Sequence, residues 1–178
     1  DDLADLSKTL ERSTGIRISI VESIPKVEAV KPDSPAYEAG LRKGDLLISV
    51  WGKLTGYLSL KEALDLLINK SAVEIRCVFE RAADVVINPN KTMISGPEGL
   101  IGASFTMEID GLTIEAVKDS GPAIKAGIEK GDLVVALDGK QTRYMPLSKA
   151  IELIKNSEAA AVKLTIRRKA IIWRRGEL

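Results

Sequence analysis

Shifted against itself by 87 residues, this chain overlays without a gap: "VEAVKPDSPAYEAGLRKGDLLISVWGK" from Val27 lies on "IEAVKDSGPAIKAGIEKGDLVVALDGK" from Ile114. Glu28, Ala29, Val30 and Lys31 recur as Glu115, Ala116, Val117 and Lys118. Gly40, Gly44, Asp45, Gly52 and Lys53 recur as Gly127, Gly131, Asp132, Gly139 and Lys140. A repeat of this length is long for a solenoid unit and suits a small domain, so the chain reads as one fold written twice.

The same elements follow one another in each copy. Alternation at Ile16, Ile18 and Ile20, and at Ala103, Phe105, Met107 and Ile109, predicts a first strand with one buried face. A second strand is expected over 27–30 and 112–117, then a helical turn started by Pro35 or Pro122 and ended by Gly40 or Gly127. Strands at 46–50 and 133–137 come next. A longer helix follows, with Leu60, Ala63, Leu64 and Leu67 matched by Leu147, Ala150, Ile151 and Ile154 at i, i+3, i+4 and i+7. Ser59 and Glu62 fit a capping box. Last strands are expected over 73–79 and 161–166. The seam falls in "INPNKTMISGP", whose Pro, Asn, Gly and Ser favour turns.

Composition narrows the chemistry. With no histidine, Ser-His-Asp and Cys-His nucleophiles and helical His-Glu zinc sites are excluded. The lone Cys77, among apolar neighbours in "EIRCVF", reads as a buried small hydrophobe rather than a metal ligand. No metal or cofactor is expected. Lys and Arg number 26 against 25 Asp and Glu, which gives no cationic excess for nucleic acid. No apolar run approaches the roughly 18 residues of a transmembrane helix. The start at Asp1 rather than Met points to a mature or excised fragment. Trp51, on an expected turn, reads as an exposed aromatic.

The strings "SPAYEAGLRKGDLLISVWGK" and "GPAIKAGIEKGDLVVALDGK" resemble the signature of PDZ domains, in particular the circularly permuted bacterial form. The resemblance implies an α+β, mainly β, class: two partly open β-barrel or sandwich domains, each with one short and one longer helix. The segments are an N-terminal amphipathic helix over 1–14, a first domain over 15–89, a linker over 90–98 and a second domain over 99–175. Asp45 and Asp132, each after a glycine at a tight turn, read as local hydrogen-bond acceptors rather than catalytic acids.

PDZ domains bind extended or C-terminal peptides by strand addition beside the long helix, and loop N–H groups receive the terminal carboxylate. Carried onto this chain, the second copy offers Gly99, Leu100, Ile101 and Gly102 as that loop. Ala103 and Phe105 form its edge strand, and Leu147, Ala150 and Ile151 its helical wall. The first copy offers Gly15, Ile16, Ile18, Leu60, Ala63 and Leu64, with one loop glycine fewer.

The resemblance implies a non-catalytic tandem segment that binds hydrophobic C-termini or extended stretches of other proteins. It would be the substrate-recognition or regulatory part of a larger protein on the periplasmic side of a bacterial envelope. The alternatives are a regulatory fragment of a serine or site-2 protease and a scaffold module of a secretion or membrane complex.

Overall fold

The computed structural model describes residues 2–69, 71–91, 94 and 96–175. Thr92, Met93 and Ser95 of the expected linker, and Asp1 of the expected first helix, lie outside the described residues.

The first copy runs α1 (Asp2–Thr14), β1 (Ile16–Val21), β2 (Ile24–Val30), α2 (Pro35–Glu38), β3 (Leu46–Val50), β4 (Lys53–Leu54), α3 (Leu60–Leu67) and β5 (Glu74–Val86). The second runs α4 (Pro97–Ile101), β6 (Ala103–Glu108), β7 (Gly111–Val117), α5 (Pro122–Lys125), β8 (Leu133–Leu137), β9 (Lys140–Gln141), α6 (Leu147–Lys155) and β10 (Ala161–Trp173). The class is α+β and mainly strand, as the sequence implies.

Local chemistry sets these elements. β1 and β2 pair antiparallel and close through Glu22 and Ser23, both at positive φ, the backbone that matches strand twist in a two-residue hairpin. Ser34 caps α2 by accepting the Tyr37 N–H at 3.3 Å, with Pro35 fixing the first turn. The capping box of α3 is complete: Ser59 N–H donates to Glu62 Oε2 at 2.7 Å and Glu62 N–H to Ser59 Oγ at 3.2 Å. The first of these bonds holds the Glu62 carboxyl below the usual carboxylate range. Trp51 and Gly52 take the same left-handed turn (φ 56° and 75°) as Asp138 and Gly139 (φ 47° and 79°). Trp51 is not the exposed aromatic expected: it packs against the first core, half-buried, because the turn folds its ring onto the sheet.

Two compact units emerge, one of Asp1–Arg81 with Lys169–Leu178 and the other of Ala82–Arg168. These differ from the segments 15–89 and 99–175 read from the sequence. β5 and β10 are each 13 residues long and do not break where the copy ends. Residues 82–86 of β5 continue into the second unit and residues 169–173 of β10 into the first.

In the first unit the strand order is β1-β2-β3-β5, with Leu47 opposite Phe79 and Val50 opposite Cys77. Its core of Leu10, Ile16, Leu47, Leu67, Ile75 and Phe79 includes Ala170 and Ile172 from the end of β10. The Arg174 N–H donates to the Val73 carbonyl at 2.9 Å. In the second unit the order is β6-β7-β8-β10, and its core includes Ala83, Val85 and Ile87 from the end of β5. Each core is therefore completed by residues from the other copy.

Candidate functional site

β1 ends the sheet of the first unit and β6 ends that of the second, so among the described residues each pairs on one side only. The ladder dictates what the free side offers. β6 and β7 pair from Ala103 opposite Val117 to Glu108 opposite Gly111, around a two-residue turn. Hydrogen-bonded and non-bonded pairs alternate in such a hairpin, which turns the N–H and C=O of Ala103, Phe105 and Met107 to the free edge. In β1 the same alternation frees Ile16, Ile18 and Ile20.

A glycine precedes each edge strand and is obligatory there. Gly15 has φ +87°, and a Cβ on it would come within 2.2 Å of the Ser34 Cβ; Gly102 has φ +74°, and a Cβ there would come within 3.0 Å of Pro122 Cδ. The expected glycine loop is something tighter. Gly99, Leu100 and Ile101 belong to α4, one helical turn begun by Pro97 and ended by Gly102. The Gly102 N–H is consequently taken by the Glu98 carbonyl at 2.9 Å. In the first unit the Gly15 N–H donates to the Glu11 carbonyl at 2.8 Å, and the Ile16 N–H reaches Thr14 Oγ1 at 3.4 Å. The Gly102 and Gly15 amides, expected to await a carboxylate, are instead engaged by the preceding helix, because in both copies the chain arrives as a helix rather than a loop.

Most of the groove residues read from the sequence sit in the cores. Leu100, Ile101, Ala103, Phe105 and Ala150 are buried in the second unit, as are Gly15, Ile16, Ala63 and Leu64 in the first; Gly102 is buried too. Leu147 and Ile151, Ile18 and Leu60 are half-buried, and Gly99 is exposed. The pattern follows from helix geometry: the alanines point at the sheet, and the flanking branched residues remain at the rim.

The copies differ at one wall position. Ile151 is half-buried, whereas its counterpart Leu64 is only 1% exposed. The difference tracks α1, which packs on both α3 and β1. The Lys61 ammonium is raised by its hydrogen bond and charge contact with Asp65, and the charge of Asp2, at the start of α1, adds to it. Leu10 in the core and Leu6 packed against it hold α1 on that helix. α4 has one turn where α1 has several, so α6 keeps its rim open.

A salt-bridge network that the sequence reading missed holds each scaffold. Arg81 grips Asp45 by Nε to Oδ1 at 2.7 Å, and its Nη2 also donates to the Gly40 carbonyl at 2.8 Å. Arg168 does the same with Asp132 and Gly127, at 2.7 and 2.8 Å. The second oxygens of Asp45 and Asp132 accept the Arg42 and Glu129 N–H groups at 2.8 and 2.9 Å. Both acids are buried scaffold, and the local-acceptor reading of them was incomplete only in lacking the arginine. The shared 87-residue offset of Arg81 and Arg168 was the available signal.

A family model described as PDZ domain matches residues 26–81 and 113–168. Glutamate receptor-interacting protein 2 of Xenopus laevis is 31% identical over 161 residues, spanning 83% of this chain and 15% of that protein. The probable CtpA-like serine protease of Staphylococcus haemolyticus is 35% identical over 89 residues, 48% of this chain and 18% of the protease. Periplasmic serine endoprotease DegP of Salmonella typhimurium is 26% identical over 156 residues, 80% of this chain and 31% of the protease. The chain spans less than a third of the length of each of these relatives.

Proposed function

Since the chain belongs to the PDZ domain family, we propose that its second unit takes an extended or C-terminal peptide as an added strand on β6, with α6 as the facing wall. The observation that carries this is the free edge of β6, whose outward main-chain groups stand ready to pair. Ala103, Phe105, Leu100, Ile101 and Ala150 form the floor from beneath, and Leu147 and Ile151 at the rim meet the ligand side chains. Gly102 lets the chain turn into the edge strand. With the Gly102 amide already bonded, main-chain pairing supplies the affinity, and free carboxylate and amidated peptides bind alike.

The first unit has the same edge on β1, with Ile16, Ile18, Leu60, Ala63 and Leu64 around it and Gly15 at its head. There α1 covers the helical wall, so the second unit is the principal receptor. The chain itself performs no hydrolysis. It serves as a recognition or regulatory segment of a larger protein on the periplasmic side of an envelope, a reading supported by relatives named as a CtpA-like serine protease and as periplasmic DegP.

Met107→Pro tests the site. Met107 is exposed, and proline there removes an outward N–H while leaving the β7 ladder whole. Titrated with a hydrophobic octapeptide selected on the wild-type protein, long enough to pass Met107, the variant is expected to bind about tenfold more weakly, the ~1.4 kcal/mol scale of a lost hydrogen bond, with its melting temperature kept. Equal affinity would remove β6 as the docking edge.

A further inference from the structure

Among the described residues, Tyr57 and Tyr144 are the one pair of exposed large apolar side chains identical in both copies. They are 91% and 88% exposed. Their backbones are also alike, each at φ 66°, in the left-handed region that β-turns ordinarily give to glycine. Each tyrosine sits third in a tight turn closed by Leu58 N–H on the Thr55 carbonyl, or by Met145 N–H on that of Thr142. Thr55 and Thr142 are buried, and their hydroxyls bond the carbonyls of Leu47 and Val134 in the sheet. Glycine would suit this backbone better, so the ring, and not the turn, is what the position holds.

The first unit shows where the turn lies. The Tyr57 N–H donates to the Ser23 carbonyl at 2.8 Å, which pins it beside the β1–β2 hairpin, at the opposite end of β1 from Gly15. In the second unit the corresponding end of β6 carries Met107, 44% exposed, and Ile109, fully exposed. β6 has six residues, about 20 Å of extended chain. A guest strand that fills the edge from Gly102 onward reaches this end after about six residues.

Building on the strand-addition reading above, we propose that Tyr144, and Tyr57 in the first unit, form a distal subsite that selects an apolar side chain. That side chain lies about six residues along the guest peptide from its Gly102 or Gly15 end. The occupant is the far part of the same peptide, because the subsite is continuous with the edge strand and Tyr144, Met107 and Ile109 offer apolar surface there, beside Arg143, whose guanidinium lies 5.3 Å from the Tyr144 ring. A rigid, exposed tyrosine is well suited to the work, since it offers contact area at little cost in side-chain entropy.

The test is selection of a random octapeptide library, displayed on phage with free C-termini, on the full chain and on Tyr144→Ala. The wild type is expected to enrich apolar residues at two positions about five or six apart, and the variant to keep only the one nearer Gly102. An octapeptide carrying both should bind the variant at least fivefold more weakly, while its proximal tetrapeptide binds both proteins equally. Tyr144→Gly, which relaxes the left-handed backbone, should repeat the loss in a protein at least as stable, and Tyr144→Phe should restore binding. Enrichment at the proximal position alone, unaltered by the substitutions, would overturn the subsite and leave strand addition standing. No enrichment over an unrelated control protein would overturn both.

Discussion

The Asp45 carboxylate is clasped by the Arg81 guanidinium through two bonds, Nε to Oδ1 at 2.7 Å and Nη2 to Oδ2 at 2.6 Å, with the acid 1% and the arginine 18% exposed. Removing the acid leaves the largely buried guanidinium without its charge partner. Asp45→Ala is accordingly expected to cost about 3–5 kcal/mol in urea denaturation, and Asp132→Ala a similar amount through Arg168. A cost under about 1 kcal/mol would mean that the pair is only a surface contact.

Ending the chain after Arg168 removes Ala170 and Ile172, both buried in the core of the first unit. By area and cavity reasoning, two such side chains are worth roughly 3–5 kcal/mol. Hydrogen exchange should show amides of β3 and the first part of β5 losing protection, although these lie about a hundred residues earlier in the chain. Protection unchanged in those strands would contradict the exchanged-strand arrangement.

Deleting residues 2–9 should uncover Leu64 while leaving Leu10 in place. Loss of Leu6, which packs against the first core, is expected to cost about 2 kcal/mol. In return, peptides selected on the second unit should acquire a second, weaker site, counted as a stoichiometry near two in calorimetry. Stoichiometry fixed at one would show that α1 does not cover a usable groove.

Burial, with a smaller contribution from the charge of Asp45, pushes the Cys77 thiol up from 9.0 to about 12. The unfolded chain therefore gives up this proton at lower pH than the folded one does. The resulting stability is complete below pH 9 and is lost as pH rises toward 12. Cys77→Ala should lower stability at neutral pH yet flatten its decline over that window, and native Cys77 should resist thiol reagents at pH 8. Parallel decline in both proteins would assign the alkaline slope to other groups.

Much of this architecture was legible because it rests on local rules. β1, β3 and β8 begin and end where the alternation and the glycine turns place them, and Ser59 and Glu62 cap α3 as their spacing demands. Cys77 is buried, as its apolar neighbours imply. The continuation of β5 through "AADVV" and of β10 through "KAIIW" was not legible. Those residues alternate as any strand does, and which core they enter depends on contacts far away in sequence. Similarly, nothing local in "EGLIG" separates a carboxylate-binding loop from the helical turn that α4 makes of it. Tyr57 and Tyr144 recur at the repeat spacing, but an exposed aromatic belongs to neither a glycine turn nor an apolar stripe, so no local rule points to it.

The traded ends of β5 and β10 bear on how such a duplication can be inherited. Once each half relies on its twin for the last pieces of its interior, excising either half leaves the survivor with a gap where Ala170 and Ile172, or Ala83 and Val85, used to sit. The two halves are free to diverge in what they grip, but shedding one of them takes away part of the other's interior.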